Sequence, residues 1–201
     1  FFSLSFTQEN KVYKFIENKG QWNSNVRYKT ELDGGFLYVE NNRLTYDFYD
    51  EKELEHYFHA HHDKEPRKDL DRFNCHSYQV KFLGSSSNKI IAKNKQTTYF
   101  NYFLGTDKSK WASNVGSYER LEMKSVYPKI DLIFYTDNES LKYDFVVFPN
   151  GNPSNINLEY TGVNSVQLKK GNLVIATSVN KVIEQKPFAY QTIDGAKVEV
   201  K

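Results

Sequence analysis

Sulfur is nearly absent from this chain of 201 residues, which has one cysteine and one methionine. A lone Cys75 excludes an internal disulfide, and a chain of this length can hold a core without covalent staples, so the cysteine count leaves the compartment open. Charge of one sign is also lacking. Lys and Arg number 27 against 25 Asp and Glu, for a formal net charge of +2, an overall field too weak to recruit nucleic acid or an acidic membrane on its own. No apolar run approaches the length of a transmembrane helix. A Gly-x-Ser-x-Gly nucleophile elbow, a zinc-protease motif and a phosphate-cradling glycine loop are absent, since Gly34-Gly35 is a turn with no helix after it. No short motif assigns an enzyme, and the chain is expected to be non-enzymatic.

What the chain has instead is aromatic: 15 Tyr and 15 Phe, which favour pleated, half-buried surfaces over helical packing. Period-two alternation predicts strands at Val26 to Thr30, Phe36 to Val39 and Leu44 to Tyr49, separated by turns at Asp33-Gly34-Gly35 and Glu40 to Arg43. Further strands are expected at His76 to Phe82, around Lys89 to Ala92, and over Tyr118 to Met123. Ile130 to Tyr135 and Leu141 to Val147, joined by the polar Thr136-Asp137-Asn138-Glu139, form the clearest hairpin. Four short strands follow within Ile156 to Glu184. Strand spacing of this kind is that of an all-β, antiparallel, sandwich-like domain. Residues 51–74 interrupt it with a polar, His-rich excursion, helical from Glu51 to His59. Phe1 to Gln8, apolar and then small and polar ahead of Glu9-Asn10-Lys11, reads as the tail of a secretory signal. Residues 9–201 then form one β-rich domain, the N-terminal part of a longer surface protein.

Three constellations could carry chemistry. His56, His59, His61 and His62, with Asp63, crowd imidazoles suited to zinc or another transition metal; against them stand a solvated, highly charged context and the readiness of such clusters to pick up metal adventitiously. Asp131, Glu139 and Asp144 could serve a glycosidase, which needs two acids at fixed separation, but they also fit solvent-facing or turn-capping positions. Cys75 beside His76 has no evident third partner and fits a small buried residue better than a nucleophile. Trp22 and Trp111 lie in turn-like contexts where exposed rings could stack on sugars, with anchoring of a loop onto the core as the competing role.

Five ordered motifs carry a resemblance: Phe15-Ile16-Glu17-Asn18-Lys19-Gly20-Gln21-Trp22; Asn101-Tyr102-Phe103-Leu104-Gly105 with Trp111; Val126 to Tyr135; Leu141 to Val147 with Pro149-Asn150-Gly151; and Gln185 to Gln191. From about Val12 onward the chain resembles the N-terminal domain of large secreted bacterial proteins that carry SBBP-type β-propeller repeats, PKD-like domains or C-terminal type IX sorting signals. The resemblance implies a β-sandwich module on the outer face of a Bacteroidota-type cell, without catalytic residues. The expected partners are cell-surface proteins of type IX secretion, gliding or adhesion, with glycans stacked on Trp22 or Trp111 as the alternative. The His-rich excursion departs from that pattern. In the motifs, Tyr102, Phe103, Tyr127, Phe134 and Tyr135 are expected to supply core area, Pro128 to set the start of the next strand, and Gly105 to turn with positive φ.

Overall fold

A computed structural model describes residues 12–62, 72–86 and 89–200, without the side chains of residues 57–62. Its strands are β1 (Phe15–Glu17), β2 (Val26–Leu32), β3 (Gly35–Glu40), β4 (Arg43–Tyr49), β5 (Cys75–Phe82), β6 (Lys89–Tyr102), β7 (Ala112–Tyr127), β8 (Ile130–Asp137), β9 (Ser140–Val147), β10 (Leu158–Thr161), β11 (Ser165–Lys169), β12 (Asn172–Ala176), β13 (Lys181–Glu184), β14 (Tyr190–Ile193) and β15 (Ala196–Glu199). One helix, α1 (Glu51–His62), follows β4. The domain is all-β. Ten strands make one antiparallel sheet in the order β10-β5-β4-β3-β2-β1-β7-β8-β9, with β6 paired to β7; β11-β12-β13 and β14-β15 are separate small sheets.

The alternation along the strands decides what the sheet encloses. Leu37 and Val39 of β3, Leu44 and Phe48 of β4, Tyr78, Val80 and Phe82 of β5, and Leu121, Met123, Leu132 and Phe134 of β7 and β8 are at most 5% exposed and join one core. Strands from both ends of the sheet thus share a single interior, so the sheet curls until its two halves face each other. Gly35 marks how tightly the strands approach at one margin: a Cβ there would lie 2.0 Å from the Asp47 carbonyl oxygen. Ile175 of the small sheet, fully buried, joins the core from the open end of the curl.

Closure rests on one carboxylate. Glu184 of β13 accepts hydrogen bonds from Tyr143 of β9 at 2.9 Å and from Tyr160 of β10 at 3.0 Å, and β9 and β10 are the two outermost strands of the large sheet. A second tie runs between Tyr127 and Asn157, where the tyrosine hydroxyl donates to the backbone carbonyl at 2.9 Å and accepts from the backbone N–H at 3.2 Å. Burial drives up the Tyr143 and Tyr160 hydroxyls, and Glu184 adds to it; Tyr46 and Tyr78 are raised likewise. Burial also raises the Glu184 carboxyl above its ordinary 4.5, against the two tyrosine hydrogen bonds, which favour the carboxylate.

Several expectations hold and several are revised. The β8–β9 hairpin pairs as read, Ile130 with Val147 through Asp137 with Ser140. The strand expected at Lys89 to Ala92 continues to Tyr102, because β7 offers a partner along that length. The helix extends past His59 to His62. Asp50 starts it, its carboxylate accepting from the Lys52 and Glu53 backbone N–H groups. Tyr127 and Phe134 are core, but Phe103 is 57% exposed, since it stands at the end of the β6–β7 hairpin beyond the curl. Residues 1–8 and 63–71 lie outside the described residues.

Two outcomes follow. Because folded Glu184 keeps its proton to higher pH than the unfolded chain, stability falls as pH rises from 4.5 through the raised value. Glu184→Gln should lack this fall when urea midpoints are measured in steps of pH, while Glu184→Ala, which strands two tyrosine hydroxyls, should cost about 2 kcal/mol. In the β8–β9 turn, Asn138 and Glu139 both have positive φ, 47° and 58°, the requirement of a type I′ turn. Glu139→Gly should raise the thermal midpoint, through a gain of about 1 kcal/mol.

Candidate functional site, an aromatic surface on the outside of the sheet

Those described residues on which sequence-based chemistry was centred have structural partners or lie exposed. Asp131 is 5% exposed. It accepts from the Ser125 backbone N–H at 2.7 Å and from Lys124 at 3.0 Å. Ser125, at φ +53°, sits where the β7–β8 register slips, so Asp131 caps a bulge rather than facing solvent. Asp144 accepts from the Tyr135 hydroxyl at 3.0 Å, and burial, then this carboxylate, pushes Tyr135 up to about 12. Glu139 is exposed in its turn.

Cys75, expected to be buried, is exposed, because its strand position points away from the core. His76 points the other way and is spent on two loops. Its Nε2 donates to the Gly162 carbonyl at 2.7 Å while Nδ1 accepts from the Ser178 backbone N–H at 3.2 Å and lies 2.9 Å from the Ser178 hydroxyl. Both ring nitrogens thereby fasten the small sheet to β5, which fixes the Nε2–H tautomer.

His56 is exposed on α1, while the side chains of His59, His61 and His62 lie outside the described residues. Among the described residues no three His, Cys, Asp or Glu side chains are grouped to hold a metal ion. Nor is any helix there long and apolar enough to cross a membrane.

Trp22 and Trp111 are outside the core, Trp22 half-buried and Trp111 38% exposed. Asn18 builds the loop that presents Trp22: its Nδ2 donates to the Asn23 and Val26 carbonyls at 2.9 and 2.8 Å, and its Oδ1 accepts from the Gly20 and Trp22 backbone N–H groups at 2.9 and 3.3 Å. The indole meets Tyr102 edge-on at 5.5 Å. On its other side the Lys29 ammonium lies 5.5 Å from the Trp22 ring centroid, 3.5 Å from that of Phe36 and 5.5 Å from that of Tyr38. Burial lowers the Lys29 amine, with Glu31 and Asp47 opposing. The row continues from Phe36 to Tyr49 at 6.3 Å and from Tyr49 to Phe73 at 6.4 Å.

This row is what the sequence concealed. Phe36-Leu37-Tyr38-Val39 is apolar at every position, so alternation could not say which pair turns inward. The structure buries Leu37 and Val39 and leaves Phe36 and Tyr38 on the outer face, where an antiparallel sheet ordinarily carries polar residues. Polar groups flank the rings: Asp47, paired in register with Phe36, accepts from the Ser77 hydroxyl. The rings are tilted, with interplanar angles of 65° between Phe36 and Tyr49 and 85° between Tyr49 and Phe73, so they form no flat coplanar strip. The arrangement offers large, partly desolvated aromatic area with one embedded cation. Large rings of this kind beside a cation make close contacts with other surfaces.

No curated protein and no solved structure matches the chain. A family model described as a domain of unknown function, DUF7948, matches residues 15–201, which takes in all fifteen strands of the described residues. A curled antiparallel sheet closed at Glu184, with aromatic residues inside and out, is thus the form taken here by a member of the DUF7948 family, to which the chain belongs.

Proposed function

We propose that this domain is a non-enzymatic interaction module of a secreted or cell-surface bacterial protein, and that the outer aromatic row is where it meets a protein partner. The observation that carries the proposal is the outward placement of Phe36 and Tyr38, continuous with Trp22 and Tyr49, on a face where solvent exposure alone would select polar side chains. Aromatic anchors around a partly desolvated cation have the composition of a contact centre. The motif resemblance to N-terminal domains of exported proteins supports the setting: the extracellular face of the outer membrane, with type IX secretion, gliding or adhesion as the assemblies that would supply the partner. The structural employment of Asp131, Asp144 and His76 supports a non-enzymatic role, and no cofactor is needed for it.

A glycan is the second reading. Tilted rings beside Asp47 and Ser77 suit a twisted sugar chain better than a flat crystalline one.

Placing a photo-crosslinking phenylalanine derivative at Tyr38 in the full-length protein on intact cells tests both. A discrete crosslinked protein partner is expected from position 38 and not from position 142, at the far end of the sheet. Replacing Trp22 and Phe36 with alanine in the same chain should abolish it. A product that shifts with surface polysaccharide and not with protein would select the glycan. Equal yields from positions 38 and 142 would overturn the assignment of the row.

A further inference from the structure

The loop joining β6 to β7 carries a second surface of different character. β1 pairs with β7 only at Tyr118 and Ser117, whereas the β6–β7 pairing runs on through Tyr99 with Gly116, Phe100 with Val115 and Tyr102 with Ala112. The hairpin therefore extends past the edge of β1. Phe103 and Leu104 stand at its tip, 57% and 79% exposed. Gly105, at φ +72°, turns the chain there, and apart from its chain neighbours no atom lies within 4 Å of where its Cβ would be. The tip is nonetheless built: the Trp111 indole N–H donates to the Gly105 carbonyl at 3.2 Å, and its ring meets Phe103 edge-on at 5.7 Å. Asp107 caps the short 3-10 turn Lys108–Lys110, accepting from the Ser109 backbone N–H and hydroxyl at 3.0 and 2.6 Å. That turn sets two lysines beside the tip, with the Lys108 ammonium 5.6 Å from the Trp111 centroid. Lys19, between β1 and β2, reaches the same hairpin but is already engaged, donating to the Asn114 carbonyl at 2.7 Å and paired with Glu17 at 3.3 Å.

We infer that this tip docks on a lipid surface bearing anionic headgroups. The composition of the tip carries the inference. Phe103 and Leu104 are exposed there, the amphipathic Trp111 packs against Phe103, and Lys108 and Lys110 lie in the adjoining turn, which are the groups suited to hydrocarbon, interface and phosphate of a bilayer. Leu104 has no ring to stack on a sugar, and Phe103 and Trp111 meet edge to face, so the chemistry favours lipid over glycan. The chain's net charge of +2 is too small to attract a membrane globally, but the contact needs only a local collar combined with apolar insertion, two weak signals acting together. The tip adjoins the outer row where Trp22 meets Tyr102, but vesicle binding reads the tip and crosslinking at Tyr38 reads the row, so either can fail without the other.

The test uses the whole chain with extruded vesicles of phosphatidylcholine alone or of equal parts phosphatidylcholine and phosphatidylglycerol. Co-sedimentation with the anionic vesicles is expected, weakened by added salt, and reduced about tenfold by Phe103→Ser with Leu104→Ser. In a Trp22→Phe background, which leaves Trp111 as the sole tryptophan, its emission should shift to the blue on adding anionic vesicles and be quenched by bromine on the acyl chains near the headgroup. Unchanged urea midpoints would show that the double serine variant is folded. The inference is overturned if the protein stays in the supernatant with both vesicle types, or if the folded double serine variant binds them as well as the parent.

Discussion

The hydrogen-bonded carboxylate of Glu184 is the interaction on which the shape of this domain turns. An open sheet of this size leaves two unpaired edges and one apolar face without a cover. Here β9 and β10, at opposite ends of the strand order, each send a tyrosine hydroxyl to the same carboxylate. That carboxylate arrives from the small sheet, which also plugs the open end with Ile175. A charged group in such a place is costly unless hydrogen-bonded, and the two tyrosine hydroxyls, whose own ionisation burial suppresses, supply donors that stay protonated. His76, bonded to Gly162 and Ser178, fastens the same small sheet from another side.

Closure has a consequence for function. Once both halves of the sheet are committed to one interior, the concave face is filled with Leu, Val, Phe and Tyr side chains and offers little room for a ligand. Aromatic side chains not committed to that interior are left on the convex face and at the hairpin ends. Trp22, Phe36, Tyr38 and Tyr49 sit on the convex face, and Phe103, Leu104 and Trp111 on a hairpin that extends past the sheet margin. Burial has separated two aromatic populations that composition alone would count together.

Much of this was legible in the chain. The Ile130–Val147 hairpin shows because alternation on both strands brackets a polar turn, and the all-β class because Tyr and Phe recur at strand spacing. The surface was harder to find. The run Phe36 to Val39 is apolar on both parities, so its inner pair is set by which neighbours complete the core. Asp131 looks like the polar half of an alternating strand and is instead drawn inward by the β7 bulge. Cys75 and His76 are adjacent in sequence and opposite in direction, the first exposed, the second bound to two loops.

The sequence by itself determined that the chain makes strands, where most of them turn, and that no motif assigns catalysis, because period-two patterning, turn residues and catalytic spacing are all local properties. Only the tertiary structure decided that Glu184 would close the sheet, that Phe36 and Tyr38 would face outward, and that Phe103 would stand in solvent. Those outcomes depend on which distant strands become neighbours. Glu184 lies 41 residues from Tyr143 and 24 from Tyr160, and no local pattern records that a carboxylate and two hydroxyls so far apart will share one chamber.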